Sequence, residues 1–151
     1  MLLNKQTFQT IIENAPLISI DLIVKNHQGQ VLLGKRNNPP AQHYWFVPGG
    51  RIRKNETFIE AFARLTLQEL GQSFSLNNAK FIAPYQHFYT DSVFANNIST
   101  HYVVLAYQLT MDKDLLALPL EQHNKYHWFD INELLIDKQV HQFTKDYFLS
   151  Q

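Results

Sequence analysis

Hydrophobic and polar positions follow a helical period in some stretches and a strand period in others, and the changes mark the elements. Residues 4–14 place Phe8, Ile11 and Ile12 on one helical face, and Pro16, which lacks an amide hydrogen, ends that helix. Leu17–Val24 (LISIDLIV) is a strand by its β-branched content. A turn around Gly29 spans residues 26–30, and Val31–Leu33 returns as the second strand of a hairpin. Residues 37–42 (NNPPAQ) are irregular, because Pro39 and Pro40 remove donors. Tyr44–Val47 is a short strand that delivers Pro48-Gly49-Gly50. Two later β-prone runs, Lys80–Tyr89 and His101–Leu109, pair across a polar loop at 90–99. Residues 111–120 connect to a short strand, Tyr126–Phe129. Asp130 caps a helix over 131–136, and a last helix over 138–149 carries Val140, Phe143 and Phe148. Short mixed strands among helices predict an α/β fold, a mixed sheet between helical layers.

The stretch Gly49–Gly71, GGRIRKNETFIEAFARLTLQELG, organises the chain. It reads as a glycine pair, a polar loop and a helix. Asn55 is the expected N-cap, and Gly71 suits the left-handed stop. Phe58, Phe62 and Leu65 share one face at 100° per residue. Glu56, Glu60 and Arg64 share another, where a Glu60–Arg64 pair one turn apart contributes roughly 0.3–0.5 kcal/mol. Glu69 breaks the pattern, since it falls between Phe58 and Phe62 in the apolar stripe. An inward carboxylate costs several kcal/mol unless something positive meets it. Glu69 therefore snorkels, meets an arginine, or ligates a metal ion.

The 151 residues are one domain's worth, residues 1–151. Formal net charge is zero, so no electrostatic footprint for nucleic acid or an anionic membrane appears. Cysteine is absent, which excludes a disulfide scaffold, a thiolate metal site and a Cys nucleophile. No run of 18 apolar residues and no signal pattern is present, so a soluble cytoplasmic protein is expected.

Several polar residues have chemistry to offer. An inward Asp21 pairs with an arginine or touches a ligand, whereas an outward one is a solvated strand position. Arg36 and Arg51 flank the glycine pair, and each presents a planar fork suited to phosphate. The glycine pair lets backbone approach a ligand closely, and a backbone carbonyl is a legitimate ligand for a hard cation. Arg64 sits on the helix, either bound to Glu56 or Glu60 or reaching a substrate.

This stretch resembles the Nudix box, G-x5-E-x7-R-E-U-x-E-E-x-G-U, where U is a bulky apolar residue. Gly50, Glu56, Arg64, Glu69 and Gly71 match; Leu65 and Gln68 replace glutamates, and Gln72 replaces an apolar residue. The resemblance implies an α/β/α sandwich with a mixed central sheet and a metal ion on a nucleoside diphosphate. The strings SIDLIV, LLGKR, PAQ, YWFVPGGR, QHFY, THYVVL and EQH, in this order, resemble one branch of that family, the GDP-mannose mannosyl hydrolases. The resemblance implies Mg²⁺-dependent hydrolysis of GDP-mannose, or of a related GDP-sugar such as GDP-glucose, to GDP and free sugar. Water attacks the anomeric carbon with inversion. It implies one Mg²⁺ per subunit, with Mn²⁺ as a substitute, held by the Gly49 carbonyl, Glu69 and Gln122. It implies His123 as general base, with Arg36, Arg51, Tyr102 and His87 acting on diphosphate or sugar. His87 is there a candidate second cation, whereas in its own strand it reads as a core-edge histidine. It also implies a homodimer whose N-terminal residues Leu2, Leu3 and Phe8 help hold the guanine, and the matching strand position places Asp21 at the substrate. The competing expectation is an ordinary Nudix pyrophosphatase that cuts the P–O bond to give GMP and sugar phosphate.

Overall fold

The computed structural model of the chain describes residues 2–112 and 123–149, with the backbone alone described at His123 and Asn124. Helix α1 (Lys5–Asn14) opens with Asn4, whose side chain accepts the Thr7 amide at 2.8 Å. The strands are β1 (Leu17–Lys25), β2 (Val31–Arg36), β3 (Trp45–Phe46), β4 (Gly49–Arg51), β5 (Lys80–Tyr89), β6 (Thr100–Thr110) and β7 (His123–Phe129). Helices α2 (Phe58–Leu70), α3 (Ile131–Ile136) and α4 (Gln142–Leu149) complete the described elements with a short 3-10 turn at Leu76–Asn78.

The strands form one mixed sheet in the order β3-β2-β1-β6-β5, with β4 on β1 and β7 on β2. β1 and β6 run parallel from Leu17↔Tyr102 to Lys25↔Thr110, and the other pairs are antiparallel. β1 meets β2 only near the turn, at Lys25↔Val31, and meets β4 along its first half. Its alternation sorts the two faces, since successive side chains of a strand point to opposite sides. Ile20, Leu22 and Val24 pack with Phe62, Leu65 and Leu70 of α2. Ile23 packs with Val31, Leu33, Ala106, and Tyr147 and Phe148 of α4. Helices on both faces of a mixed sheet make the expected α/β/α sandwich. No described helix is long and apolar enough to cross a membrane.

Several expectations are corrected. Thr57, not Asn55, caps α2: its hydroxyl accepts the Glu60 amide at 3.1 Å, and the Glu60 carboxylate accepts the Thr57 amide at 3.4 Å. Asn55 instead takes a left-handed conformation (φ 71°) in the loop before the helix, which asparagine tolerates. Phe58 is exposed, because it is the first helical residue and lies beyond the sheet's cover. Glu60, engaged in the cap, leaves Arg64 to pair with Glu56. The last helix starts at Gln142 rather than 138, because residues 139–141 run alongside β3: the Trp45 amide bonds the Gln139 carbonyl and the His141 amide bonds the Trp45 carbonyl. β7 begins earlier than expected, at His123. Asp130 stands at the N-cap of α3 without a side-chain cap bond.

Candidate active site

A cleft of about 360 Å³ opens on the face of the sheet that carries α4, beside α1. Its floor comes from alternate residues of three strands: Ser19 and Asp21 of β1, Tyr102 and Val104 of β6, His87 and Tyr89 of β5. Leu2, with Phe8 and Ile12 of α1, walls one side; Arg36 at the end of β2 and the 38–40 loop wall another; Gly49–Arg51 and Arg53 form the rim, which meets Arg64, Leu65 and Gln68 of α2. The cleft thus gathers Leu2, Phe8, Asp21, Arg36, Gly49, Arg51, His87 and Tyr102 from the sequence expectation. Leu3 is not part of its lining. Gln122 lies outside the described residues. The backbone of His123 pairs with Arg36, a cleft residue, and its side chain is not described.

Two glycines fix the rim. Any side chain at Gly49 would collide with the β1 backbone and reach 2.6 Å from Asp21 Oδ1; one at Gly50 would sit 2.5 Å from a Leu65 methyl. The Leu22 amide bonds the Pro48 carbonyl at 2.8 Å, and the Ile52 amide bonds the Ile18 carbonyl at 2.8 Å, with Asp21↔Gly49 in register between them. In an antiparallel ladder such bonds belong to alternate residues, so Gly49 turns its N–H and C=O away from β1. The N–H meets Glu69 Oε1 at 3.2 Å. Glu69 is only 4% exposed, so the acid that broke the helical pattern points inward.

Around it, the box residues satisfy one another. Arg64 donates to both oxygens of Glu56 (2.6 and 2.8 Å), to Gln68 Oε1 (3.0 Å) and to the Arg51 carbonyl (2.8 Å). Its hydrogen bonds hold the Glu56 carboxyl at a pKa of about 2. Arg64 therefore staples the loop to α2, and Gln68 faces this guanidinium. Thr66 stands at an apolar box position; its hydroxyl donates to the Phe62 carbonyl at 2.9 Å and accepts the Phe74 amide at 2.9 Å, which lets a polar group be buried.

Arg51 lies over the Phe8 ring at 4.8 Å and Arg36 over Phe46 at 5.7 Å, so aromatic faces support both cations. Burial and the neighbouring Arg53 lower the pKa of Arg51, which remains a cation. His87 is buried and stacks on Phe143 at 4.3 Å and 4°. Burial, reinforced by His141, lowers its pKa to about 4. It is therefore neutral near pH 7, which corrects the expectation of a second cation. Burial raises the Tyr102 hydroxyl's pKa and keeps it a donor. Burial likewise pushes Asp21 up to about 7, against the opposing Tyr147 hydrogen bond and Arg36 charge and with the Glu69 charge. Three residues escaped the sequence reading: Tyr147, whose hydroxyl donates to Asp21; Tyr89; and Arg53. The first two look like ordinary aromatic packing positions; only Arg53, a third cation beside the glycine pair, carried a local signal.

The chain matches the NUDIX domain over residues 15–150. It is 38% identical over 123 residues to the low-salt glycan biosynthesis protein Agl8 of Haloferax volcanii, an alignment covering 82% of this chain and 76% of that one. Its fold is similar to that of a MutT protein from Methanosarcina mazei Go1 (TM-score 0.71, 19% identity, 89% of this chain and 92% of the other). A MutT NUDIX hydrolase from Burkholderia pseudomallei is similar too (TM-score 0.68, 22% identity, 88% and 95%). With the sandwich, the inward Glu69 behind Gly49 and the Glu56–Arg64 staple in place, this match over nearly the whole chain shows that the protein belongs to the Nudix hydrolase family.

Proposed function

We propose that this Nudix hydrolase cleaves GDP-mannose, or a closely related GDP-sugar, to GDP and the free sugar. Water oxygen bonds to the anomeric carbon, the bond from that carbon to the β-phosphate oxygen breaks, and GDP departs with the electron pair. His123 takes the proton from water. Imidazole titrates near ~6.5, so it is largely neutral and basic at pH 7. The observation that carries this reading is Gln68 at a box glutamate position with its side chain on Arg64. With Leu65 at the other, α2 offers Glu69 alone as an inward carboxylate, and the base for water must come from elsewhere.

Nudix hydrolases generally use divalent metal ions on nucleoside diphosphates. Among the described residues no cluster of three or more His, Asp or Glu is arranged for a metal ion. The donor set nonetheless fits one hard ion, because Glu69 is buried beside Gly49, whose carbonyl faces away from β1. Octahedral Mg²⁺ takes few protein oxygens and completes its shell with phosphate and water. In this reading Glu69, the Gly49 carbonyl and Gln122 would hold it, and it would supply positive charge to the departing diphosphate. Arg36 and Arg51 clamp the phosphates, Phe8 covers the base, and Asp21, His87 and Tyr102 face the sugar end; the active form is a homodimer. The relationship to a protein named for glycan biosynthesis is consistent with a sugar nucleotide as substrate.

Hydrolysis in ¹⁸O-water tests the reading. Label in the sugar, with GDP as co-product, supports it; label in phosphate, with GMP, replaces it by the pyrophosphatase reaction. His123→Ala is expected to retain Mg²⁺ affinity and lose about 10²–10⁴ in rate. Unchanged turnover would remove His123 as the base.

A further inference from the structure

We infer that Tyr147, from α4, is a positioning residue that holds the carboxylate of Asp21 in place within the cleft; the inference rests on the hydrolase reading above. Tyr147 is 1% exposed and belongs to the core that packs α4 against the sheet. Its ring meets Tyr85 edge-on at 4.7 Å and 88° and lies 6.1 Å from His87. Its hydroxyl donates to Asp21 Oδ2. A buried tyrosine hydroxyl needs an acceptor, and a half-buried carboxyl group needs partners, so the two satisfy each other.

The geometry goes beyond mutual satisfaction. Asp21 lines the cleft, and its other oxygen, Oδ1, lies beside Gly49, where a methyl group would come within 2.6 Å of it. The absent side chain lets the β4 backbone run close to that oxygen and to the Ile20 carbonyl. With Oδ2 held by a ring locked in the core, the carboxylate plane cannot turn, and Oδ1 keeps one direction. A carboxyl oxygen held in one direction gives a hydroxyl of a polyol, such as a sugar ring, a fixed hydrogen-bond partner. Positioning errors of about 1 Å at such a group cost on the order of 10²-fold in rate.

The test is a double-mutant cycle on the full chain with Mg²⁺. Tyr147→Phe keeps the ring and removes a donor to the carboxyl group of Asp21, so kcat/KM for the GDP-sugar is expected to fall roughly 10- to 100-fold. Asp21→Ala, which leaves the hydroxyl no acceptor there, should fall at least as far, and the double variant no further than Asp21→Ala. Affinity for GDP, which lacks the sugar, should stay within about twofold in Tyr147→Phe. A merely structural tyrosine would give equal losses in both backgrounds, or weaken GDP and GDP-sugar alike, and either result overturns the inference. If the wild type hydrolyses a different nucleoside diphosphate sugar, or cuts at phosphorus, the earlier reading fails. The same cycle on that substrate, or on its affinity measured by calorimetry, still decides the role of Tyr147.

Discussion

Glu69 condenses the chemistry of the site into one side chain. Sited where the helix should present an apolar residue, it is 4% exposed and accepts the Gly49 amide. Replacing it by glutamine keeps the shape and an oxygen acceptor for that amide while removing the charge. Glu69→Gln is therefore expected to fold as the wild type does, with a melting temperature at least as high in the absence of metal. Its activity should fall by more than the ~10–100-fold that losing an outer-shell partner of a metal typically costs, and its residual rate should no longer saturate with Mg²⁺. Activity against Mg²⁺ concentration checks this, and a wild-type Mg²⁺ profile would remove Glu69 from the ligand set. Glu69 was legible in the sequence because helical geometry alone sets its direction. Asp21 was not: its orientation depends on Tyr147, 126 residues away, and neither residue's spacing encodes that meeting. His87 was legible in its own strand as a core-edge histidine, and it is buried; the cation came from the resemblance, and the Phe143 ring that stacks on it comes from a helix far along the chain.

The loop and helix from Gly49 to Leu70 act as one element, and its start shows how two readings of one string compete. Asn55 and Thr57 are both capping types, and both precede an acid. The T-x-x-E spacing of Thr57 and Glu60 allows the reciprocal bonds of a capping box, which a single Asn cannot match. Asn55 serves the loop instead, where φ is 71°. Thr57→Ala is thus expected to cost about 1 kcal/mol in urea unfolding. Asn55→Gly should change stability by a few tenths at most, because glycine enters the left-handed region freely. If the two costs were reversed, Asn55 would be the cap after all. Downstream, the Glu56–Arg64 pair ties the same loop to α2 through bonds of 2.6 and 2.8 Å. Its partners are eight residues apart, so a helix rule of three or four residues favours Glu60, and it was the face shared by Glu56, Glu60 and Arg64 that kept Glu56 open as a partner. Strand order was legible only locally: the hairpin and the β5–β6 pair are neighbours in sequence, whereas the parallel β1–β6 contact and the pairing of β4 with β1 follow from the sandwich as a whole.

For the whole molecule, the titratable groups of the cleft and loop set how stability responds to acid. His87 falls from its ordinary 6.5 to about 4, so the unfolded chain binds a proton that the folded one refuses. Its contribution is complete above pH 6.5 and is lost as pH falls to about 4, and His141, also lowered by burial, acts in the same sense. Asp21 works the other way. Raised from 3.8 to about 7, it takes up a proton in the folded chain first, so its contribution is complete below 3.8 and lost as pH rises through 7. The two oppose each other between pH 4 and 6.5. Glu56, lowered from 4.5 to about 2, adds a term that is complete above 4.5 and lost below it. In EDTA the wild-type urea midpoint should therefore be nearly flat from pH 6.5 to 4 and fall steeply beneath that. Asp21→Asn removes the compensating uptake, so its midpoint should already decline from pH 6.5 downward. His87→Phe, which keeps a ring against Phe143, should instead gain stability as pH falls over the same interval. Glu56→Gln should flatten the steep fall below pH 4.5. A wild type that declines steadily from pH 6.5 while Asp21→Asn follows the same curve would mean that Asp21 stays ionised in the folded cleft, and that the neighbouring cations outweigh its burial.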